Sequence, residues 1–341
     1  MLAIHSRSGS FSDKWIEYCQ LNNISYKVVD CYSDDIIKQL EDCYGVMWHW
    51  GHNDHKAVLF ARQLSYSLAS AGKRVFPDPA TVWHFDDKVG QKYLLEAIQA
   101  PLVPSHVFYD KDTAINWAST TKYPKVFKLR GGAGAENVHI ARSKSEAEKF
   151  IKKAFGRGYK VKNRLNFLKE RYWHFKRDKT LSSFLNISKG FARLIIPKDA
   201  EKNFPAERNY AYFQEFIPNN DHDIRIIVIG KRAFAIKRMV REGDFRASGS
   251  GNIIYDHKQI PEECLKIAFD VTKKLNSQCL AFDFVTSEGK PLIVELSYSF
   301  ARKGYLDCPG YWNDELEWIE GAFSPEFFMI EDFANKNFEC L

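Results

Sequence analysis

The amino-acid sequence predicts an α+β protein with a parallel α/β segment at its N-terminus, and three features of the chain predict it. Short apolar runs alternate with helical patterns over the first 80 residues. A glycine-rich run near residue 131 has a strand pattern on each side. Two apolar strands near residues 280–296 are joined by a Ser-Glu-Gly turn.

The first segment reads as strands at 2–5, 26–29, 45–50 and 74–76, with helices at 13–21, 34–40 and 56–71 between them. Strands that alternate with helices need crossover connections, and these favour parallel pairing. Pro77 and Pro79 then break the pattern and mark a linker. A helix is expected at 88–98, with Asp86 and Asp87 as cap candidates. Beyond it come strands at 106–109, 125–128 and 138–140 and helices at 113–119 and 145–155. Two strands around the glycines of 131–134 make a hairpin rather than a strand-to-helix turn, which excludes a P-loop. Strands at 211–216, 223–229 and 233–239, a helix at 263–275 and a hairpin of 280–285 with 292–296 complete the pattern. The last 45 residues are rich in aromatics and show no clear period. The expected segments are 1–80, 81–156, a basic insertion at 157–210, 211–300, and an aromatic tail at 301–341.

At 341 residues, 45% hydrophobic and 27% charged, the composition is that of a soluble globular protein. No apolar run approaches the ~18 residues of a membrane span, and none near Met1 is long enough for a signal peptide. A cytoplasmic location is the expectation. Seven scattered cysteines without a C-x-x-C pair signal neither a disulfide framework nor a zinc site. The net charge of +6 is uneven: residues 157–210 hold 14 Lys/Arg against 5 Asp/Glu. Such a stretch suits an anionic acceptor or peripheral contact with a membrane surface, and equally a solvated helical face.

Four groups of residues can carry chemistry. Lys128 precedes Gly131, Gly132 and Gly134, and a glycine run lets backbone amides approach an anion closely; a plain flexible hairpin is the alternative. Gln214, Glu215, Phe216 and Ile217 form a strand end whose backbone offers a donor and an acceptor, with Asp223 nine residues beyond Gln214. Asp283 and Glu295 lie on paired strands, where two facing carboxylates call for a divalent cation; two solvated carboxylates are the alternative. Arg225, Lys237, Arg238 and Arg246 form a cationic set able to neutralise a transferring phosphoryl group. Singly, each is an ordinary surface charge.

In this order the four groups resemble the ATP-grasp superfamily over about residues 86–297. The nearest likeness is to the ribosomal-protein glutamate ligases and their amino-acid ligase relatives. The carrying motifs are Gln214-Glu-Phe216, Asp223-Ile-Arg225, Glu242-Gly-Asp-Phe-Arg246 and the metal strands with Asp283 and Glu295. The resemblance implies an ATP-grasp fold of two α+β subdomains behind an N-terminal preATP-grasp domain. It implies ATP with Mg²⁺, or Mn²⁺ in its place, as cofactors. Lys88 and Lys128 would contact phosphates under the loop of Gly131, Gly132 and Gly134. Glu215 and Ile217 would hold adenine, Asp223 the ribose and Arg246 the polyphosphate end. Asp283 and Glu295 would ligate metal, and Arg225 and Arg238 would face an acyl-phosphate. The sequence departs from the family at Ser297, where asparagine is usual and the shorter serine hydroxyl would ligate the metal directly or through a water, and at 298–302, where Ser-Pro-Gly is usual.

The expected activity is an ATP-dependent, ADP-forming ligation of a carboxylate to an amine. The tail at 308–318 looks similar to tails of ATP-grasp proteins of bacterial surface-glycan synthesis, which suggests amidation of a uronic acid. An amino-acid or peptide ligase and a phosphotransferase on the same fold are the competing readings. A nucleic-acid binder using the basic stretch with Tyr159, Phe167, Tyr172 and Trp173 is a further one, though no nucleic-acid-binding motif is present. Oligomeric state is not legible.

Overall fold

The computed structural model describes residues 1–52, 54–132, 137–160, 206–240, 247 and 249–335. The chain packs as two compact units, Met1–Val103 with Ile217–Leu341, and Pro104–Phe216.

The first unit opens with four strands, β1 (Leu2–His5), β2 (Tyr26–Val29), β3 (Gly45–Met47) and β4 (Arg74–Phe76). They form a parallel sheet in the order β2-β1-β3-β4. Central β1 is buried along its whole length, as expected of a strand covered on both faces. Helix α1 (Ser12–Leu21) buries Trp15 and Cys19, and α2 (Ile36–Gln39) follows β2. Helix α3 (His55–Ser70) buries Ala57, Ala61, Ser65 and Leu68, a stripe at helical spacing whose small residues allow close approach. Asp54 caps it, accepting a hydrogen bond from the Ala57 amide at 3.2 Å. The expected strand at 45–50 ends at Met47. The Trp48 amide still bonds the Phe76 carbonyl of β4 at 2.8 Å, whereas the Trp50 amide bonds the Tyr298 hydroxyl at 3.1 Å.

After α4 (Pro79–Val82), helix α5 (Lys88–Ala97) starts at Asp87, whose carboxylate accepts from the Gly90 amide at 2.9 Å. The unit continues in strands β9 (His222–Ile229), β10 (Arg232–Met239), β11 (Ile253–Ile254), β12 (Cys279–Ser287) and β13 (Lys290–Ser297), then β14 (Gly310–Asn313) and β15 (Trp318–Glu320). The numbering leaves β5–β8 for the second unit. The sheet order is β13-β12-β9-β10-β14-β15, with β11 beside β10. Residues 310–320, without a readable period in the sequence, are thus strands that extend this sheet through Ala233↔Trp312. Alternation divides the sheet. Ile224, Ile226, Val228, Leu280 and Phe282 meet the α8 helix (Glu262–Lys274), while Ile227, Ile229, Phe234 and Ile236 join β1, α1 and the α9 helix (Pro325–Ala334) in one core. Gly230 turns β9 into β10 at φ +54, and a Cβ there would collide with Asp332 of α9.

The second unit is an antiparallel sheet, β5-β8-β6-β7, of β5 (Ser105–Phe108), β6 (Lys125–Lys128), β7 (Val138–Ala141) and β8 (Ala211–Glu215). Helices α6 (Lys111–Thr120) and α7 (Lys144–Ala154) cover one face through Ala114, Ala118, Ala147 and Ile151 against Phe127 and Phe213. Asp110 caps α6, and Ser143 caps α7 by accepting from the Glu146 amide, while the Glu146 carboxylate accepts from the Arg142 amide. Most of the basic 157–210 stretch (161–205) lies outside the described residues, as does its proposed base-stacking set apart from Tyr159.

Two buried histidines make stability depend on pH. Burial pushes His84 down to about 4 and His49 down to about 3. Free histidine titrates near 6.5, so the stability they hold is complete above that value and is lost as pH falls towards 4. His84 has neither ring nitrogen partnered among the described residues. Urea melts should show about 2 kcal/mol lost per histidine between pH 6.5 and 5. His84→Phe should flatten that acid limb; an unchanged slope would remove His84 as its cause.

Candidate functional site

In the first unit the chemistry gathers on one face of the larger sheet. Register places Asp283 opposite Arg225 on β9 and opposite Glu295 on β13, and Asp223 opposite Arg238 on β10. Arg238 binds Asp223 with two bonds of 2.7 Å, from Nε and Nη2, and reaches Asp283 Oδ1 from Nη2 at 2.9 Å. Arg225 Nη1 lies 3.4 Å from the same Asp283 oxygen. Lys88, at the first turn of α5, meets Glu295 at 3.0 Å. Gln91, one turn on, brackets Leu296 with bonds of 3.0 and 2.8 Å to its amide and carbonyl, tying α5 to β13.

A hairpin irregularity makes this face. The pairs from Ser287↔Lys290 to Phe284↔Ile293 keep one register, and it shifts by one residue before Asp283↔Glu295. The extra residue is Val294. Without it Asp283 would face Val294, and Glu295 would lie on the other side of the sheet.

Burial opposes the charge on Arg225, but Asp283 and the other anionic groups around it outweigh that and hold its guanidinium above the ordinary arginine range. Burial also holds the Asp223 carboxyl above the usual range, with Arg238 working against the shift. Arg225 Nε is buried and has no hydrogen-bond partner among the described residues. An unsatisfied cationic donor on this face is a place for an anion.

Several sequence expectations land differently. Lys237 is set apart from the arginines: it neighbours Arg238 on one strand, so alternation sends it to the opposite face, where Nζ bonds Gln259 at 3.2 Å. Asp223, assigned to ribose by resemblance, has both carboxylate oxygens on Arg238. The Ser297 hydroxyl donates to the Ser299 carbonyl at 2.7 Å and accepts from its amide at 3.2 Å, closing a local turn. Arg246 lies outside the described residues. Tyr305 was not anticipated; it packs between Phe234 and Phe300, each ring 5.3 Å away, close enough to feel both arginines. Burial pushes its phenol up to about 12. It belongs to the aperiodic tail, where no local pattern marks it.

In the second unit, Lys128 ends β6 and is buried, with Nζ 2.5 Å from Gln214 Oε1; Gln214 in turn bonds Ser105 at 3.2 Å. The Glu215 carboxylate is engaged by Lys125 and lies 3.6 Å from His106, so its backbone rather than its side chain is the part suited to a base. Gly131 and Gly132 follow Lys128, Gly132 at φ +108, while Gly134 lies outside the described residues. Phe216 and Ile217 follow β8, and the Ile217 carbonyl accepts from Asn220 at 3.4 Å.

Residues 194–306 match the model of the RimK-like ATP-grasp domain. That stretch, about a third of the chain, is similar to the RimK-like ATP-grasp domain. A probable α-L-glutamate ligase of Klebsiella pneumoniae (strain 342) is 31% identical over 110 residues, which are 31% of this chain and 37% of that protein. The match thus spans little more than a third of the relative's own length. Among solved structures, a RimK domain ATP-grasp protein of Sphaerobacter thermophilus DSM 20745 aligns over 97% of this chain and 98% of its own, at 15% identity and TM-score 0.55. The D-cycloserine synthetase DcsG aligns over 98% of both chains, at 14% identity and TM-score 0.59. The fold is therefore an ATP-grasp fold, with a parallel sheet at its N-terminus. The matched residues take in β8 to β13 and so include the Asp223, Arg225, Arg238, Asp283 and Glu295 face.

Among the described residues no three His, Cys, Asp or Glu gather as a metal group. Asp283 and Glu295 are two oxygen donors on adjacent strands, each now neutralised by a cation. Two carboxylates suit Mg²⁺, which completes its shell with waters and phosphates. No helix among the described residues is long and apolar enough to cross a membrane.

Proposed function

We propose that this protein is an ATP-dependent, ADP-forming carbon–nitrogen ligase that activates a carboxylate as an acyl-phosphate and passes it to an amine. The observation that carries the reading is the face of Asp223, Arg225, Arg238, Asp283, Glu295 and Lys88, three carboxylates interleaved with three cations. Asp283 and Glu295 would hold Mg²⁺, with Ser297 acting through water. The metal would supply charge neutralisation on the phosphates. Lys88 and Lys128 would bind phosphate oxygens, and the backbone of Glu215 and Ile217 would hold adenine. Arg225 and Arg238 would stabilise the charge that develops on the transferring phosphoryl group and on the acyl-phosphate. Were the metal to take the charge of Asp283 and Glu295, Arg225, Arg238 and Lys88 would be able to turn to phosphate oxygens.

The carboxylate substrate would enter at the ends of the parallel strands, where ligands of α/β sheets gather. There His49 Nε2 lies 3.0 Å from Ser299 Oγ, and Arg7 lies 3.8 Å from Asp54. The aromatic tail lends the uronic-acid reading little. Trp312 and Trp318 pack on each other at 4.7 Å, and His257 stacks on Trp318 at 4.2 Å. Tyr311 packs on Phe323 and Phe328. These contacts belong to the core rather than to an open sugar face. An amino-acid amine, the substrate type named by the Klebsiella relative, is the better starting point.

An ADP-release screen pairing amino acids with peptides and uronic acids tests the reading. Release of ADP and phosphate that needs both substrates, with an amide in the product, is the expected result. AMP and pyrophosphate, or a phosphomonoester product, would reject it. Lys128→Met should weaken MgATP binding by about tenfold or more, the loss of one charge-assisted contact of about 1.5–3 kcal/mol. Calorimetric titration reads this directly, and an unchanged affinity would take Lys128 off the phosphates.

A further inference from the structure

The glycine hairpin already holds an anion of its own. The amides of Arg130 and Gly131 converge on one side chain, donating to Glu207 Oε2 at 3.1 Å and Oε1 at 3.2 Å. Tyr210 accepts a second bond from the Arg130 amide at 2.7 Å, and its hydroxyl donates to the Glu207 carboxylate. Two successive amides directed at two oxygens of one anion is the geometry by which such loops grip phosphate.

The position of Glu207 is set from elsewhere. Its amide and carbonyl pair with the carbonyl and amide of Tyr159, both at 2.9 Å. Tyr159 is itself buried, 5.1 Å from the Phe127 ring. Gly158 permits this approach, since a Cβ there would lie 2.7 Å from the Glu207 carbonyl oxygen. The carboxylate is therefore presented to the loop by an anchored backbone.

We infer that Glu207 is an internal stand-in for phosphate, holding the Arg130 and Gly131 amides in the nucleotide-free protein and yielding them when a nucleotide phosphate enters. The inference rests on the nucleotide-binding reading given above. A carboxylate and a phosphate cannot share the same two donors, because both are acceptors and both are negative. Nucleotide binding then includes the work of displacing Glu207, and the apparent affinity falls by the fraction of molecules in which the amides are open. At about one open molecule in ten, the apparent Kd is about tenfold weaker than the intrinsic one.

Calorimetric titration of the full chain with MgADP and with adenosine tests this. Glu207→Gln keeps the size of the side chain and removes its charge, and should tighten MgADP binding about fivefold to tenfold. Tyr210→Phe loosens the hold on the carboxylate and should act in the same direction by about twofold. Adenosine, which has no phosphate, should bind all three proteins alike. Unchanged or weaker MgADP binding by Glu207→Gln, beside intact wild-type binding, overturns the inference and leaves the ligase reading standing. An equal gain for adenosine overturns it as well. Should Glu207→Gln fail to fold, Tyr210→Phe decides alone. A wild-type chain that binds no nucleotide overturns the ligase reading, and this inference with it.

Discussion

Replacing Asp283 by asparagine is expected to lower ADP release by about a hundredfold to a thousandfold, the usual cost of removing one group that stabilises charge in a transition state. The substitution keeps shape and volume, so the loss isolates charge. Among the described residues Asp283 is the one carboxylate in an ion pair with both Arg238, at 2.9 Å, and Arg225, at 3.4 Å, and it also lies across from Glu295. Without its charge, the proposed metal loses a ligand and two guanidiniums lose a shared counter-charge. Glu295→Gln should be damaging for the first reason but not the second, since Glu295 pairs only with Lys88 among the described cations. A Mg²⁺ titration distinguishes the two causes: both variants should need more metal, and Asp283→Asn should stay slow at saturation. Activity of Asp283→Asn within threefold of wild type would remove this face from the chemistry.

The second large effect is on stability. Arg238→Met should destabilise the protein by about 3–5 kcal/mol, because it strands the largely covered Asp223 carboxylate without its two-bond partner. The methionine itself has apolar neighbours on its strand, Phe234 and Ile236, so packing is not the expected source of loss. Adding Asp223→Asn to Arg238→Met should return part of the stability by neutralising the stranded carboxylate, although Asp283 would still lack one counter-charge. Urea denaturation of the two single variants and the double variant gives the coupling energy. A loss under about 1 kcal/mol for Arg238→Met would mean that water already reaches Asp223.

These predictions depend on features that differ in how openly the sequence displays them. The parallel order of the first 80 residues is legible because each strand is short, apolar and followed by a helical stripe with its own cap. The hairpin around Gly131 is legible because strand patterns flank the glycines. Lys237 is separable from Arg238 in the sequence itself, since neighbouring strand residues face opposite sides, a distinction that charge alone does not make. The pairing of Asp223 with Arg238 needed the register of β9 on β10, which follows from the tight turn at Gly230 and Lys231. The tail strands and Tyr305 were closed to local reading. Their partners, Ala233 on β10 and the arginines of the sheet face, lie some 70 residues away in the chain.

The sequence by itself determined the inventory: the carboxylates, the lysines, the arginines and a glycine run, in an order that few folds use, on strands and helices whose periods can be counted. Tertiary structure alone decided which of them face each other. In the late hairpin the turn sets a register in which Asp283 and Glu295 would lie on opposite sides of the sheet, and one extra residue at Val294 reverses that. A side-chain period of two makes every single-residue slip a change of face. No property of Val294 announces the slip, because the bulge exists only when β13 is laid against β12 and held at Leu296 by Gln91.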